Sequence, residues 1–244
     1  MIATTGRRQA SCMIASARIK ACSEQSMHRL SASVINQAAQ LSSERRQQYL
    51  TGRMVLAELL FQSSGISQLP DIFVTNNGRP SFNRADLPDF NISHSGDLIM
   101  VALAQDCQIG VDLELKRPRK KMMSLAQYSF SETEFAWLSA LPENEQESAF
   151  WQLWTIRESI LKLAGKGVWQ MKEMAVEPFS RRVSAEFSQR LNCWSCRQDD
   201  VFWAVATNID IAVNNIRLWR ASEDLASLIP EQTPNLTRFH SDPI

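Results

Sequence analysis

The residue pattern predicts an α+β fold made of two comparable halves, and three observations lead there. Helix-like periodicity is followed by strand-like segments, and then helices return before strands close the chain. At 244 residues the chain can hold one large domain or two small ones, each with a proper core. No internal repeat is visible, so any likeness between the halves would be structural. The expected divisions are a variable N-terminal segment at 1–30, a first half at 31–105, a second at 106–221 and a loosely held tail at 222–244.

The first helix is expected from Ser42 to Leu60, opened by Ser42-Ser43-Glu44 and carrying Tyr49, Leu50, Met54, Leu56 and Leu59 toward a core. Ile72 to Thr75 reads as a short strand, ended by the turn signal Asn76-Asn77-Gly78. Strands follow at Phe90–Ile92, Leu98–Ala104 and Ile109–Leu115. Helices then occupy Met122–Tyr128, Ser131–Leu138, where Glu134 stands three residues from a candidate Ser131 cap, and Glu145–Ala164. Strands return near Met174–Val176, Val183–Phe187, Val201–Thr207 and Ile216–Ala221. The final segment is polar and holds Pro230, Pro234 and Pro243, hence its expected looseness.

Composition narrows the function classes. Lys+Arg and Asp+Glu both total 26, so no global charge draws the chain to nucleic acid or anionic lipid. No apolar run reaches the length of a membrane span. Five cysteines, an odd number without dense spacing, suit reduced thiols and a cytoplasmic location. Cys193 and Cys196 spell C-x-x-C, but no second pair or neighbouring His completes a zinc site, and two strand or turn thiols explain them. Arg7, Arg8, Arg18 and Lys20 precede the first acid, Glu24, a bias shared by transit peptides and flexible extensions.

Three stretches carry chemistry. In Ile109-Gly110-Val111-Asp112-Leu113-Glu114, strand alternation turns Asp112 and Glu114 to one side and Val111 and Leu113 to the core. Two adjacent carboxylates resist joint ionisation unless a cation lies between them, although a solvated strand face gives the same pattern. On the helix, Trp154, Glu158 and Lys162 share a face at i, i+4 and i+8. Gly165-Lys166-Gly167 follows, where backbone can approach a ligand. Taken alone, Glu158 and Lys162 also fit an ordinary helical salt bridge. Ser93-His94-Ser95, ending a strand before Gly96, suits an anion or a locally bonded histidine. A Ser-His nucleophile fits less well, because adjacent strand residues face opposite ways. Together these are the parts of a Mg²⁺-assisted enzyme acting on a phosphate ester or anhydride.

The ordered set Asn77-Gly78-Arg79-Pro80, Phe90-Asn91-Ile92-Ser93-His94-Ser95-Gly96, Ile109 to Glu114, Phe130-Ser131 with Glu134, and Phe150-Trp151 through Trp154, Glu158, Lys162 and Gly165 resembles the motifs of Sfp-type 4′-phosphopantetheinyl transferases. The flavour is similar to the bacterial second holo-acyl-carrier-protein synthase type, and the similarity spans about residues 45–167. The resemblance implies a pseudodimer of two α+β halves in one chain, expected as a monomer, with coenzyme A in the cleft between them. It implies transfer of the phosphopantetheine arm to a serine of an apo acyl or peptidyl carrier protein, with release of adenosine 3′,5′-bisphosphate.

By the same resemblance, Asp112, Glu114 and Glu158 are the Mg²⁺ ligands, Glu158 is also the general base, and Lys162 neutralises the pyrophosphate. Ser93 and His94 hold the 3′-phosphate, Gly78, Arg79 and Pro80 lie beside the adenine, and Arg46 and Arg53 meet coenzyme A phosphate. Lys166 and Arg157 are further cofactor contacts; many family members carry Lys where this chain has Arg157, which preserves charge but not hydrogen-bond geometry. Coenzyme A does not account for Lys116, Arg117, Arg119, Lys120 and Lys121, which are expected to dock the acidic helix of a carrier protein; a solvated loop is the alternative. Two rival functions use the same residues: a Mg²⁺-dependent phosphohydrolase, and a carrier-protein or coenzyme A binding module without catalysis.

Overall fold

A computed structural model describes residues 10–241. In chain order the elements are β1 (Ser11–Arg18), α1 (Ala32–Ala39), α2 (Ser43–Ser64), β2 (Ile72–Val74), β3 (Pro80–Phe82), β4 (Asp89–Ser95), β5 (Leu98–Gln105) and β6 (Ile109–Leu115). There follow α3 (Met122–Ser129), α4 (Glu132–Ala140), α5 (Glu143–Ala164), β7 (Met174–Glu177), β8 (Arg182–Ala185), β9 (Asn192–Gln198), β10 (Val201–Thr207), β11 (Ile216–Ala221), β12 (Leu228–Glu231) and β13 (Thr237–His240). One sheet has five strands in the order β12-β11-β1-β5-β4, the other six in the order β6-β10-β9-β13-β8-β7, and β2 and β3 form a separate hairpin. The α+β expectation of two helix-covered sheets is met.

Strand alternation builds four layers. Met13, Ala15, Ile99, Val101 and Leu103 face α2, where they meet Leu50, Met54, Leu56 and Leu59. Their neighbours Cys12, Ile14, Met100, Ala102 and Ala104 face the second sheet and pack on Val111, Leu113, Trp203 and Val205. The outer side of that sheet, Phe202, Ala204 and Ala206, receives α5 through Phe150, Trp151, Ile156 and Ile160. Gly110 is where the helix comes closest: a Cβ there would overlap the Ser159 carbonyl oxygen and the Leu163 nitrogen. Ser131 and Glu134 form the expected capping box on α4.

Both termini depart from expectation. The segment expected to be variable contributes β1, the middle strand of the five-stranded sheet, paired parallel to β11 and antiparallel to β5. Both its faces are buried, so small and apolar residues fill it without a polar alternation to read. Arg18 ends this strand and bonds Asp97, while Arg7 and Arg8 lie outside the described residues. The tail expected to be loose is stitched into both sheets. Leu228–Glu231 pairs with β11, and Thr237–His240 pairs with β9, burying Phe239 in the α5 core. Pro230 is tolerated because β12 is an edge strand. Pro243 lies outside the described residues. The strand Ile216–Ala221, assigned to the second half, belongs to the first sheet. Cys193 and Cys196 are buried free thiols of β9.

Candidate active site

The two sheets meet edge to edge where β4 faces β6. These strands do not pair through their backbones. Instead Asp89, Asn91, Ser93 and Ser95 accept hydrogen bonds from the backbone N–H groups of Ile109, Val111, Leu113 and Leu115 at 2.8, 3.0, 3.2 and 3.2 Å. Side chains thus satisfy donors that an unpaired edge would leave open. Because odd residues of β6 point between the sheets, Asp112 and Glu114 point to the α5 side, as expected from alternation.

There they meet Glu158 and Lys162, one turn apart on α5. Lys162 Nζ lies 2.6 Å from Asp112 Oδ1 and 2.8 Å from Ser93 Oγ. Ser93 donates to the same Asp112 oxygen at 2.9 Å, and Ser95 donates to Glu114 Oε2 at 2.6 Å. Burial pushes Asp112 and Glu114 above the usual carboxylate range, although Lys162 opposes it in both. Glu158 is pushed up to about 7, first by burial and then by the neighbouring Asp112 and Glu114 charges, with Lys162 opposing. Among the described residues no three acid, His or Cys side chains close on one point as a ready cage. Lys162 and Ser93 hold Asp112 Oδ1, and Ser95 and Arg117 hold Glu114, the latter at 3.7 Å. Asp112 Oδ2, however, is buried with no hydrogen-bond partner. A buried carboxylate oxygen without a donor, in a group of three mutually repelling acids, fits a divalent cation.

Beside this cluster a groove of about 490 Å³ runs between α2 and β4, with Arg45, Tyr49, Arg53, Pro80 and His94 along it. His94 faces this groove and Ser93 faces β6, since adjacent residues of a strand point oppositely. Burial, and then the Lys162 charge, hold the His94 imidazole below its ordinary pKa. The Arg53 guanidinium lies 4.8 Å from the Tyr49 ring centre, and its Nε is buried without a partner.

Several residues expected to contact a ligand have other partners in this structure. Ser93 is only 3% exposed and bonds Asp112, while His94 lines the groove. Arg157 is fully buried: it pairs with Glu134 and donates to the carbonyls of Ser129, Met171 and Met174. Position 157 neighbours Glu158 in sequence but projects from another face of α5. Arg79 is committed to Asp89 and the Ile109 carbonyl, tying the β2–β3 hairpin to the sheet junction. Gly78 makes the turn before it at φ +83. Arg45 rather than Arg46 lines the groove, and Lys166 lies 5.9 Å from the Phe187 ring centre instead.

The basic cluster is also partly engaged. Lys116 stands 3.7 Å from Glu147, and Arg117 and Arg119 lie over Trp151, Arg119 also over Trp154 at 5.1 Å. Lys120 and Lys121 remain exposed at the turn into α3. What sequence reading missed is the junction itself. Its signal was the polar residue at every second position from Asp89 to Ser95.

Known proteins share this arrangement of sequence. Residues 108–214 match the 4′-phosphopantetheinyl transferase superfamily. The chain is 34% identical over 163 residues to the 4′-phosphopantetheinyl transferase AcpT of Salmonella typhimurium, covering 67% of this chain and 77% of that one. It is 32% identical over 138 residues to the 4′-phosphopantetheinyl transferase HetI of a Nostoc species, covering 54% and 58%. The uncharacterized protein YieE of Escherichia coli K12 is 28% identical over 221 residues, covering 86% and 88%.

Proposed function

Because the chain belongs to the 4′-phosphopantetheinyl transferase superfamily, we propose that it moves the phosphopantetheine arm of coenzyme A onto a serine of an apo acyl or peptidyl carrier protein. One observation carries the reading: three carboxylates and a lysine, from a strand and a helix distant in sequence, gather beside a groove lined by arginines and a histidine. Coenzyme A is long, anionic and nucleotide-bearing. The groove receives the adenosine 3′-phosphate end at Arg45, Arg53 and His94, while the diphosphate lies toward Lys162.

Asp112, Glu114 and Glu158 would hold Mg²⁺, which when bound supplies positive charge to the diphosphate oxygens. The protein's own groups do the rest. Glu158 accepts the proton of the carrier serine, directly or through water. The serine oxygen bonds to the phosphorus that bears pantetheine, and the bond from that phosphorus to the bridging oxygen breaks. The electron pair leaves with adenosine 3′,5′-bisphosphate, whose growing charge Lys162 neutralises.

Lys120 and Lys121, with the outer edges of Arg117 and Arg119, are the docking patch for an acidic carrier helix. Two halves in one chain supply both walls of the site, so a monomer suffices. No described helix is long and apolar enough to cross a membrane, and a reaction between coenzyme A and a carrier protein suits the cytoplasm.

The test mixes purified protein, Mg²⁺, coenzyme A and a panel of apo carriers, and reads each carrier by intact mass. A gain of one phosphopantetheine on at least one carrier is expected, and Asp112→Ala abolishes it. Phosphate release without a carrier would replace this reading with a phosphohydrolase. Binding of coenzyme A without mass gain on any carrier would replace it with a binding module.

A further inference from the structure

One arginine of the groove is held by an aromatic ring rather than by an acid. Among the described residues no carboxylate pairs with Arg53, and its Nε is buried without a hydrogen-bond partner. What the side chain does meet is the face of Tyr49, whose ring centre lies 4.8 Å from the guanidinium carbon. Positions 49 and 53 stand one helical turn apart on α2, so both side chains reach the same wall of the groove. The ring is tied down in turn: its hydroxyl donates to Gln37 Oε1 of α1 at 2.8 Å. Periodicity alone sends Tyr49 into the core with Leu50 and Met54. In the fold it is half-buried, with Gln37 at its hydroxyl and Arg53 on its face.

The choice of partner has a chemical consequence. Arg79 and Arg157 are fixed by carboxylates and carbonyls, which use their N–H donors and cancel their charge. A ring fixes a guanidinium through its π face and takes none of its donors, so charge and hydrogen bonds remain for an anion. An arginine waving freely would lose its rotamer freedom when a phosphate captured it, and affinity would fall by that entropy. Seating it beforehand on a pinned ring removes most of that loss.

We infer that Tyr49 is a positioning residue that seats Arg53 in the groove and thereby sets the preference for a nucleotide bearing a 3′-phosphate. It acts through Arg53. The inference rests on the proposed placing of the adenosine 3′-phosphate end of coenzyme A in this groove.

A double-mutant cycle on the full chain tests it, using Tyr49→Leu, Arg53→Ala and the two together, with Tyr49→Phe as the conservative variant. Leucine keeps apolar bulk at the half-buried position and removes the π face. Calorimetry without carrier gives the affinity for coenzyme A and for 3′-dephospho-coenzyme A, and circular dichroism confirms folding. Tyr49→Leu is expected to weaken coenzyme A by about 3–10-fold and the dephospho form by less than about 2-fold. The double variant binds coenzyme A no more weakly than Arg53→Ala alone, because the ring has nothing left to seat. Tyr49→Phe stays within about 2-fold of wild type, since the ring is kept. In steady-state transfer Tyr49→Leu raises KM for coenzyme A and leaves KM for the dephospho substrate in place.

Equal losses on both nucleotides would make Tyr49 a general wall of the groove and overturn the inference. So would losses that multiply in the double variant, or a Tyr49→Phe as weak as Tyr49→Leu. A wild-type chain that binds coenzyme A no better than its dephospho form overturns it as well. Should the wild type bind coenzyme A yet modify no carrier, the transferase reading falls alone, and the binding cycle still decides the role of Tyr49. Should Tyr49→Leu not fold, Tyr49→Met carries the same cycle.

Discussion

Replacing Arg157 with lysine separates a stabilising role from a cofactor role. The guanidinium sits in the α5 core, over the Phe130 ring at 5.1 Å, and is wholly buried. Its Nε bonds Glu134 Oε1 at 3.0 Å, Nη2 bonds the other carboxylate oxygen and the Met174 carbonyl at 3.1 Å, and Nη1 reaches the carbonyls of Met171 and Ser129. One side chain thus ties α5 to the end of α3, to the start of α4 and to the segment leading into β7. Lysine keeps the charge but offers one nitrogen instead of a planar fork. It can meet one Glu134 oxygen and one or two carbonyls, leaving the rest buried and unpaired. Each lost bond to a charged group costs about 1.5–3 kcal/mol, and breaking a buried pair costs about 3–5 kcal/mol.

Arg157→Lys is therefore expected to lose about 3–5 kcal/mol in urea unfolding, comparable to a broken pair. For a chain of this size that corresponds to a fall in Tm of roughly 6–20 °C. Below its Tm the variant keeps the wild-type KM for coenzyme A, because the site lies on the other face of α5. Stability within about 1 kcal/mol of wild type, or a raised KM for coenzyme A at unchanged stability, would refute the reasoning.

Four further outcomes follow from the same structure. Gly110→Ala lifts α5 off β6, so kcat falls by at least about 10-fold as Glu158 and Lys162 move relative to Asp112, measured beside circular dichroism to confirm folding. In metal-free protein the raised Glu158 pKa means the native state binds the proton more tightly than the unfolded chain. Between the unfolded value of 4.5 and about 7, stability falls as pH rises, and saturating Mg²⁺ should remove that slope in urea titrations at fixed pH. Lys120→Glu combined with Lys121→Glu raises the carrier KM and leaves the coenzyme A KM unchanged, with an effect that shrinks as salt is added. Phe239→Ala, emptying a buried site in the α5 core from the C-terminal strand, costs about 3–5 kcal/mol by chemical denaturation.

Much of the site was legible because it obeys local periodicity. The face shared by Asp112 and Glu114 follows from two-residue alternation, the alignment of Glu158 with Lys162 from the helical turn, and the Ser131–Glu134 cap from its spacing. The edges of the chain were harder for the opposite reason. β1 is buried on both faces, so its small and apolar residues show no alternation. β13 is a short strand whose place in the sheet comes from β9 rather than from its own composition.

The sequence by itself determined which reactive groups are available: three acids, a lysine and a histidine. It also determined which of these residues share a strand or helix face, because those faces depend only on the backbone repeat. What only the tertiary structure decided is what each face looks at. Arg157 and Glu158 are adjacent in the chain, yet one is locked into the core and the other turns toward Asp112, Glu114 and Lys162. Ser93 and His94 divide in the same way between a strand junction and a groove. Alternation says that neighbours part company, but only the packing of α5 and β6 against their partners says which way is in.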